Sequence, residues 1–197
     1  MLIFGHAGVT LGAGVLLKGT LSRSYSLQPR VNKVTDGSRP RWLTFLEKID
    51  TRLLLTGALL PDIIDKPVGQ FFLRDSLSSG RIFCHTLAFL LLITPTGFYL
   101  YRSHGKTWLL VLAFGAFTHL ICDQMWLAPQ TLLWPAYGWA FPKSDLTYWL
   151  QNILYALFTD PAVYVPELVG MMILIWFVLV LVRRGRVHAF IRNGQVL

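Results

Sequence analysis

Between Thr118 and Asp123 the chain reads Thr-His-Leu-Ile-Cys-Asp, in the midst of an apolar run from Trp108 to Leu127. His119 and Asp123 are four residues apart, so on a helix they share one face a single turn from each other. An imidazole and a carboxylate are costly to place at membrane depth, and by default such a pair marks a functional site. A histidine and an aspartate so spaced can bind one metal ion. The rest of the sequence must then supply the remaining ligands.

The run has apolar company. Of 197 residues 54% are hydrophobic and 14% charged, and mean hydropathy is +0.51. That balance belongs to membrane proteins rather than soluble globules, and the length suits one domain over residues 1–197. The apolar stretch after Met1 lacks a basic flank and carries His6. It reads as a retained first helix, not a cleavable signal. Cys84 and Cys122 are too few for a disulfide framework.

A helix crossing a bilayer needs about 20 apolar residues, with roughly 17 tolerable. Ile82–Tyr101, Trp108–Leu127 and Leu168–Val182 read as spans, and Leu2–Leu17 and Leu43–Ile64 as weaker ones. Lys18–Pro40 is a polar basic linker, Lys66–Gly80 a shorter loop, and Asp145–Phe158 an interfacial helix. The expected fold is therefore all-α: an integral membrane helical bundle of about five helices plus an interfacial helix.

If all five segments cross, the termini lie on opposite sides. One side then holds Lys18, Arg23, Arg30, Lys33, Arg39, Arg41, Lys48, Arg52, Arg102, Lys106, Arg183, Arg184, Arg186 and Arg192. The other holds Lys66, Arg74, Arg81 and Lys143. The positive-inside bias makes the first side cytoplasmic. The N-terminus and the polar cluster are expected outside, in an inner (cytoplasmic) membrane. From Thr107, sixteen residues at about 1.5 Å each put Asp123 roughly 24 Å across, near the far edge of a ~30 Å hydrocarbon core. Lipid ester and phosphodiester groups lie at that depth. Trp126, Trp134, Tyr137 and Trp139 gather at the same face, as an anchor belt or as a guide for a lipid headgroup.

His6, Asp62, Asp65, His85, His119, Asp123 and Glu167 all map to this face, and no matching set of cations is expected there. Uncompensated acids at a low-dielectric boundary call for a divalent ion. Histidine nitrogen with aspartate oxygen suits zinc, ahead of manganese or iron. Two metals sharing a carboxylate, with Asp123 best placed to bridge, would polarise a phosphoryl or acyl oxygen and acidify water. Asp65 or Glu167 is the candidate proton acceptor. Glu167, just after Pro166, is alternatively a ligand or a cap in the first turn of the last helix. Arg81 is read as a holder of substrate phosphate or as an interface anchor. The basic linker and tail are expected on anionic inner-leaflet lipid, and no nucleic-acid partner is expected.

Several pieces carry a resemblance. They are Gly5-His6-Ala7, Gly57 through Pro61-Asp62-Ile63-Ile64-Asp65, Arg81 through His85-Thr86, Thr118 through Asp123, and Leu133-Trp134-Pro135. In this order, over most of its length, the chain resembles the YdjM-like family of inner-membrane metal-dependent hydrolases, distantly related to zinc-dependent phospholipase C. The resemblance implies a phospholipase C-like helical core and one metal on Asp62, His85, His119 and Asp123. It implies a second metal on His6 sharing Asp123. The chain departs from the pattern at Val163 and Gly80, where histidines would stand.

The expected activity is cleavage of a phosphoester or phosphodiester of a lipid or lipid-linked substrate by a dinuclear zinc site. The rivals are a zinc-dependent lipid amidase, resembling membrane ceramidases, and a non-catalytic metal-binding membrane protein.

Overall fold

The computed structural model describes residues 1–26, 45, 49–143 and 148–194. The central part of the basic linker, including Arg30, Lys33, Arg39 and Arg41, lies outside the described residues, as do Glu47, Lys48 and Asp145. Among the described residues all regular structure is helical. The α-helices are α1 (Ile3–Ser26), α2 (Thr51–Pro67), α3 (Leu87–His104), α4 (Trp108–Cys122), α5 (Pro129–Leu132), α6 (Trp149–Thr159), α7 (Pro161–Arg183) and α8 (Val187–Asn193).

The expectation of five crossing helices is met only in part. Among the described residues, α7 alone is both long and apolar enough to cross a membrane, by length and composition. The 15-residue helix α4 is apolar but short.

Helix boundaries also moved, for local reasons. Helix α2 runs through Pro61 to Pro67, and a π-helical turn over Val68–Phe72 extends it into the segment expected as a loop. Helix α3 starts at Leu87 instead of Ile82. Thr86 caps it by accepting from the Phe89 N–H, while Phe83–His85 forms a separate 3-10 turn. Helix α4 ends at Cys122, and Gln124 turns the chain in the left-handed region at φ 51°. The last long helix starts seven residues before Leu168. Asp160 caps it by accepting from the Ala162 N–H, and Pro161, which has no N–H to lose, occupies its first position.

Packing fixes the order α3, α4, α2, α1, α7. Glycines set the two tightest crossings. A Cβ on Gly57 of α2 would lie 2.6 Å from the Leu112 carbonyl oxygen of α4, and one on Gly8 of α1 would overlap the Gly170 backbone of α7. Small residues let helix backbones approach in this way where lipid offers no hydrophobic driving force. At the end away from the polar cluster, Leu11, Phe177 and Leu181 form a buried core. Leu90, Ala116, Leu120 and Met125 form another between α3 and α4. Successive long helices alternate in direction. The start of α1, the end of α2, the approach to α3, the end of α4 and the early turns of α7 therefore share one pole.

Candidate metal centre

That pole gathers the polar side chains expected of it. His6, His85 and His119 are fully buried. His6 and His119 stack with ring centroids 3.9 Å apart. His85 and His119 meet edge to face at 5.1 Å. Below them, the Thr10 and Thr118 hydroxyls hydrogen-bond at 2.8 Å and tie α1 to α4.

The orientation of two rings is set by what their Nδ1 atoms touch. His119 Nδ1 lies 2.7 Å from the Ala58 carbonyl oxygen. A carbonyl can only accept, so Nδ1 carries the proton. The close α2–α4 crossing at Gly57 is what brings this carbonyl within reach. His85 Nδ1 lies 2.7 Å from Asp65 Oδ2, and the carboxylate makes it the donor there. With both rings neutral, each Nε2 keeps a lone pair, and these face each other at 3.2 Å. Two lone pairs at that range repel unless a proton or a metal ion lies between or beside them. The tautomers are assigned from these partners. A carboxylate or carbonyl behind a ligating imidazole is the usual second layer of a metal site.

Carboxylate oxygens complete the cluster. Asp62 Oδ1 lies 3.6 Å from His85 Nε2 and 3.9 Å from His119 Nε2, and Asp123 Oδ2 lies 3.9 Å from His85 Nε2. His6 Nε2 is 3.1 Å from Asp123 Oδ1. Its alignment is too poor for a hydrogen bond, so both buried nitrogens of His6 lack a hydrogen-bond partner. Ligand atoms of His6, Asp62 and His119 all lie within 4.8 Å of one another, as do those of His85, His119 and Asp123. The five expected ligands are thus brought together, and nitrogen with oxygen donors fits a borderline divalent ion. These residues could hold a metal ion. Both triads use His119, whose Nδ1 is occupied, so they describe overlapping parts of one cluster.

The expectation that cations would be missing here is corrected. Lys66 Nζ lies 2.6 Å from Asp62 Oδ2, and Arg81 Nη2 lies 2.8 Å from Asp123 Oδ2. In both pairs the carboxylate's other oxygen turns to a histidine, and that of Asp123 also accepts from the Met1 ammonium at 3.2 Å. Lys66 stands four residues after Asp62 on one helix face, a spacing readable in the sequence. Arg81, half exposed, projects with Lys66 into a polar cleft of about 380 Å3 that also touches Asp62, Asp123 and Gln70.

The two expected proton acceptors sit elsewhere. Asp65 is fully buried behind His85, and its oxygens accept from the backbone N–H groups of Ile82, Cys84 and His85 as well as from His85 Nδ1. It pins the turn before α3 and aims the imidazole. Glu167, 5% exposed, accepts from the N–H groups of Leu2, Phe4 and Gly5. It is a cap, as one alternative held, but of α1 and not of its own helix. It lies in the second turn of α7, because that helix starts earlier than expected. Cys84 and Cys122 are buried free thiols that enter neither triad.

Near the cleft, Trp134 stacks on Phe141 at 5.4 Å, and Phe83 meets both edge to face. The expected aromatic group is therefore a packed cluster in part, with Trp126, Tyr137 and Trp139 exposed.

No curated protein and no solved structure matches the chain. The polar pole, the glycine crossings and the Arg81–His85 turn all fall within residues 1–190, the stretch that the family model described as "YdjM inner membrane protein" matches. The chain belongs to the YdjM inner membrane protein family.

Proposed function

We propose that this protein is a metal-dependent hydrolase embedded in the inner membrane, cleaving a phosphoester or phosphodiester of a lipid or lipid-linked substrate. One observation carries the reading: the Nε2 lone pairs of His85 and His119 face each other at 3.2 Å, each with its Nδ1 proton already committed. Such a pair is poised for a cation. Asp62, His85, His119 and Asp123 would hold a first zinc ion, and His6 with Asp123 a second. When bound, zinc supplies Lewis acidity at a phosphoryl oxygen and brings the pKa of water near neutrality.

This chain's own residues do the rest. Arg81, half exposed in the cleft, presents guanidinium N–H donors of the planar kind that match phosphate oxygens. Lys66 steadies the outer oxygen of Asp62. Asp65 is a positioning residue acting through His85, and Glu167 acts through the placement of α1, and with it His6. The basic excess assigned to the opposite pole supports an extracytoplasmic site, with the C-terminus cytoplasmic and the basic tail against anionic lipid.

The test is the metal content of detergent-purified protein, wild type beside His119→Ala and Asp123→Ala. Stoichiometric zinc in the wild type and its loss in both variants is expected. Equal metal in all three removes the basis of the reading. A lipid panel assayed for headgroup release then separates phosphoester cleavage from amide cleavage.

A further inference from the structure

The polar cleft does not end at its charged residues. It shares Leu2, Lys66 and Ile153 with a second, larger cavity of about 700 Å3. That cavity is a groove between the start of α1, helix α6 and the early turns of α7. Its wall includes Phe4, Leu157, Phe158, Leu168 and Met171. Two charged side chains reach it, Glu167 and Lys66. Glu167 is used up by the α1 N–H groups, which leaves Lys66 at the junction with the cleft. The volume lies within the range of about 300–1,000 Å3 usual for small-ligand sites.

We propose that this groove seats an acyl chain of an anionic phospholipid whose phosphate lies in the adjoining cleft against Lys66 and Arg81. The proposal deepens, and rests on, the reading of the His/Asp cluster as the reacting centre. Three features select this occupant. The groove is apolar, and the cleft at its mouth is polar, so the ligand must be amphiphilic along one axis. Leu168, which lines the groove from α7, the candidate membrane span, is half exposed, so a chain can enter sideways from the bilayer. Charge selects the headgroup. Lys66, Arg81 and the Met1 ammonium already outnumber Asp62 and Asp123 in the cleft, and a divalent ion on the two carboxylates would add to that positive surplus. A phosphate monoester or diester is complementary to that surplus, and a zwitterionic headgroup is less so.

The experiment uses the full chain in detergent with two photoprobes, phosphatidic acid and phosphatidylcholine. Each carries a diazirine at the end of one acyl chain, and the cross-linked residues are mapped by mass spectrometry. Metal content is measured on the same preparations. Phosphatidic acid is expected to label α6 and α7 residues of the groove in preference to phosphatidylcholine. Leu168→Trp, at a half-exposed position, narrows the groove. Excluding even two methylenes lowers affinity roughly fifteenfold, at about fourfold per methylene. Lys66→Met removes a charge-assisted bond and is expected to cut phosphatidic acid labelling about tenfold and phosphatidylcholine labelling by less. Labelling spread evenly along α7, or equal labelling by both lipids, overturns the proposal. Groove labelling by a protein that holds no metal sinks the hydrolase reading and leaves the groove standing. Bound metal without groove labelling sinks the groove alone.

Discussion

Replacing Glu167 by alanine separates a structural role from a chemical one more cleanly than any other substitution at this pole. Its carboxylate accepts from the N–H groups of Leu2, Phe4 and Gly5, with the Phe4 and Gly5 bonds at 3.0 and 3.1 Å. Those donors open α1 and have no carbonyl of their own helix to reach. A net hydrogen bond to a charged group contributes about 1.5–3 kcal/mol, and three on one carboxylate are not additive. A carboxylate at a helix N-terminus adds about 0.3–1 kcal/mol or more when partly buried. Against this stands the desolvation of a nearly buried charge, which alanine relieves. About 3 kcal/mol of net loss is the expected balance. At about 2–4 °C per kcal/mol for a chain of this size, that is a fall of roughly 6–12 °C in the unfolding midpoint. The assay is thermal unfolding in detergent followed by intrinsic fluorescence, with metal content measured below the transition. Metal content is expected to stay close to wild type at low temperature. An unchanged midpoint together with loss of metal would refute the cap and make Glu167 a ligand. Glu167→Gln retains an accepting oxygen and is expected to fall between wild type and alanine.

Other residues carry predictions of the same kind. Asp65→Asn weakens the grip on His85 Nδ1 and is expected to lower zinc affinity 10–100-fold, as loss of such outer partners does; competition with a chelating dye reads this, and an unchanged affinity refutes the positioning role. Gly115→Val forces apart α2 and α4, because even a Cβ there lies 2.6 Å from the Gly57 carbonyl carbon. It is expected to destabilise by about 1–3 kcal/mol or more and to loosen metal by moving Ala58 away from His119, which the same two assays report. Arg81→Ala is expected to abolish lipid hydrolysis while leaving metal bound, whereas Arg81→Lys recovers little because a point charge does not replace the fork; equal turnover in all three forms rules out a role on the substrate.

How far the sequence disclosed this site varies residue by residue. His119 and Asp123 were legible because four-residue spacing within an apolar run leaves few structural explanations. Asp62 and Asp65, three apart, were placed at the right pole, and their opposite tasks were hidden. Which carboxylate faces the cleft and which backs the imidazole depends on how the 79–86 turn folds against α2. That is a long-range fact that spacing does not carry. The start of α3 was misplaced because the apolar residues from Ile82 onward look helical, whereas Asp65 captures their N–H groups in a turn. Glu167 was read as a proton acceptor, a ligand or a cap of its own helix, whereas its oxygens are filled by N–H groups more than 160 positions earlier in the chain. The all-helical class was readable from apolar runs alone. The number of crossings was not, since several helices combine apolar stretches with polar residues turned to the cluster.

The clasp between Glu167 and the start of α1 also orders events during synthesis. A ribosome releases α1 first, but the oxygens that satisfy its leading amides are made more than 160 residues later. Until α7 arrives, those amides must borrow water or headgroup oxygens at the bilayer surface, because hydrocarbon offers none. His6 rides on the same turn, so its place beside Asp123 is settled by a segment translated long after it. A nascent chain halted before residue 167 should therefore already hold α2 against α4, yet lack the third imidazole of the cluster.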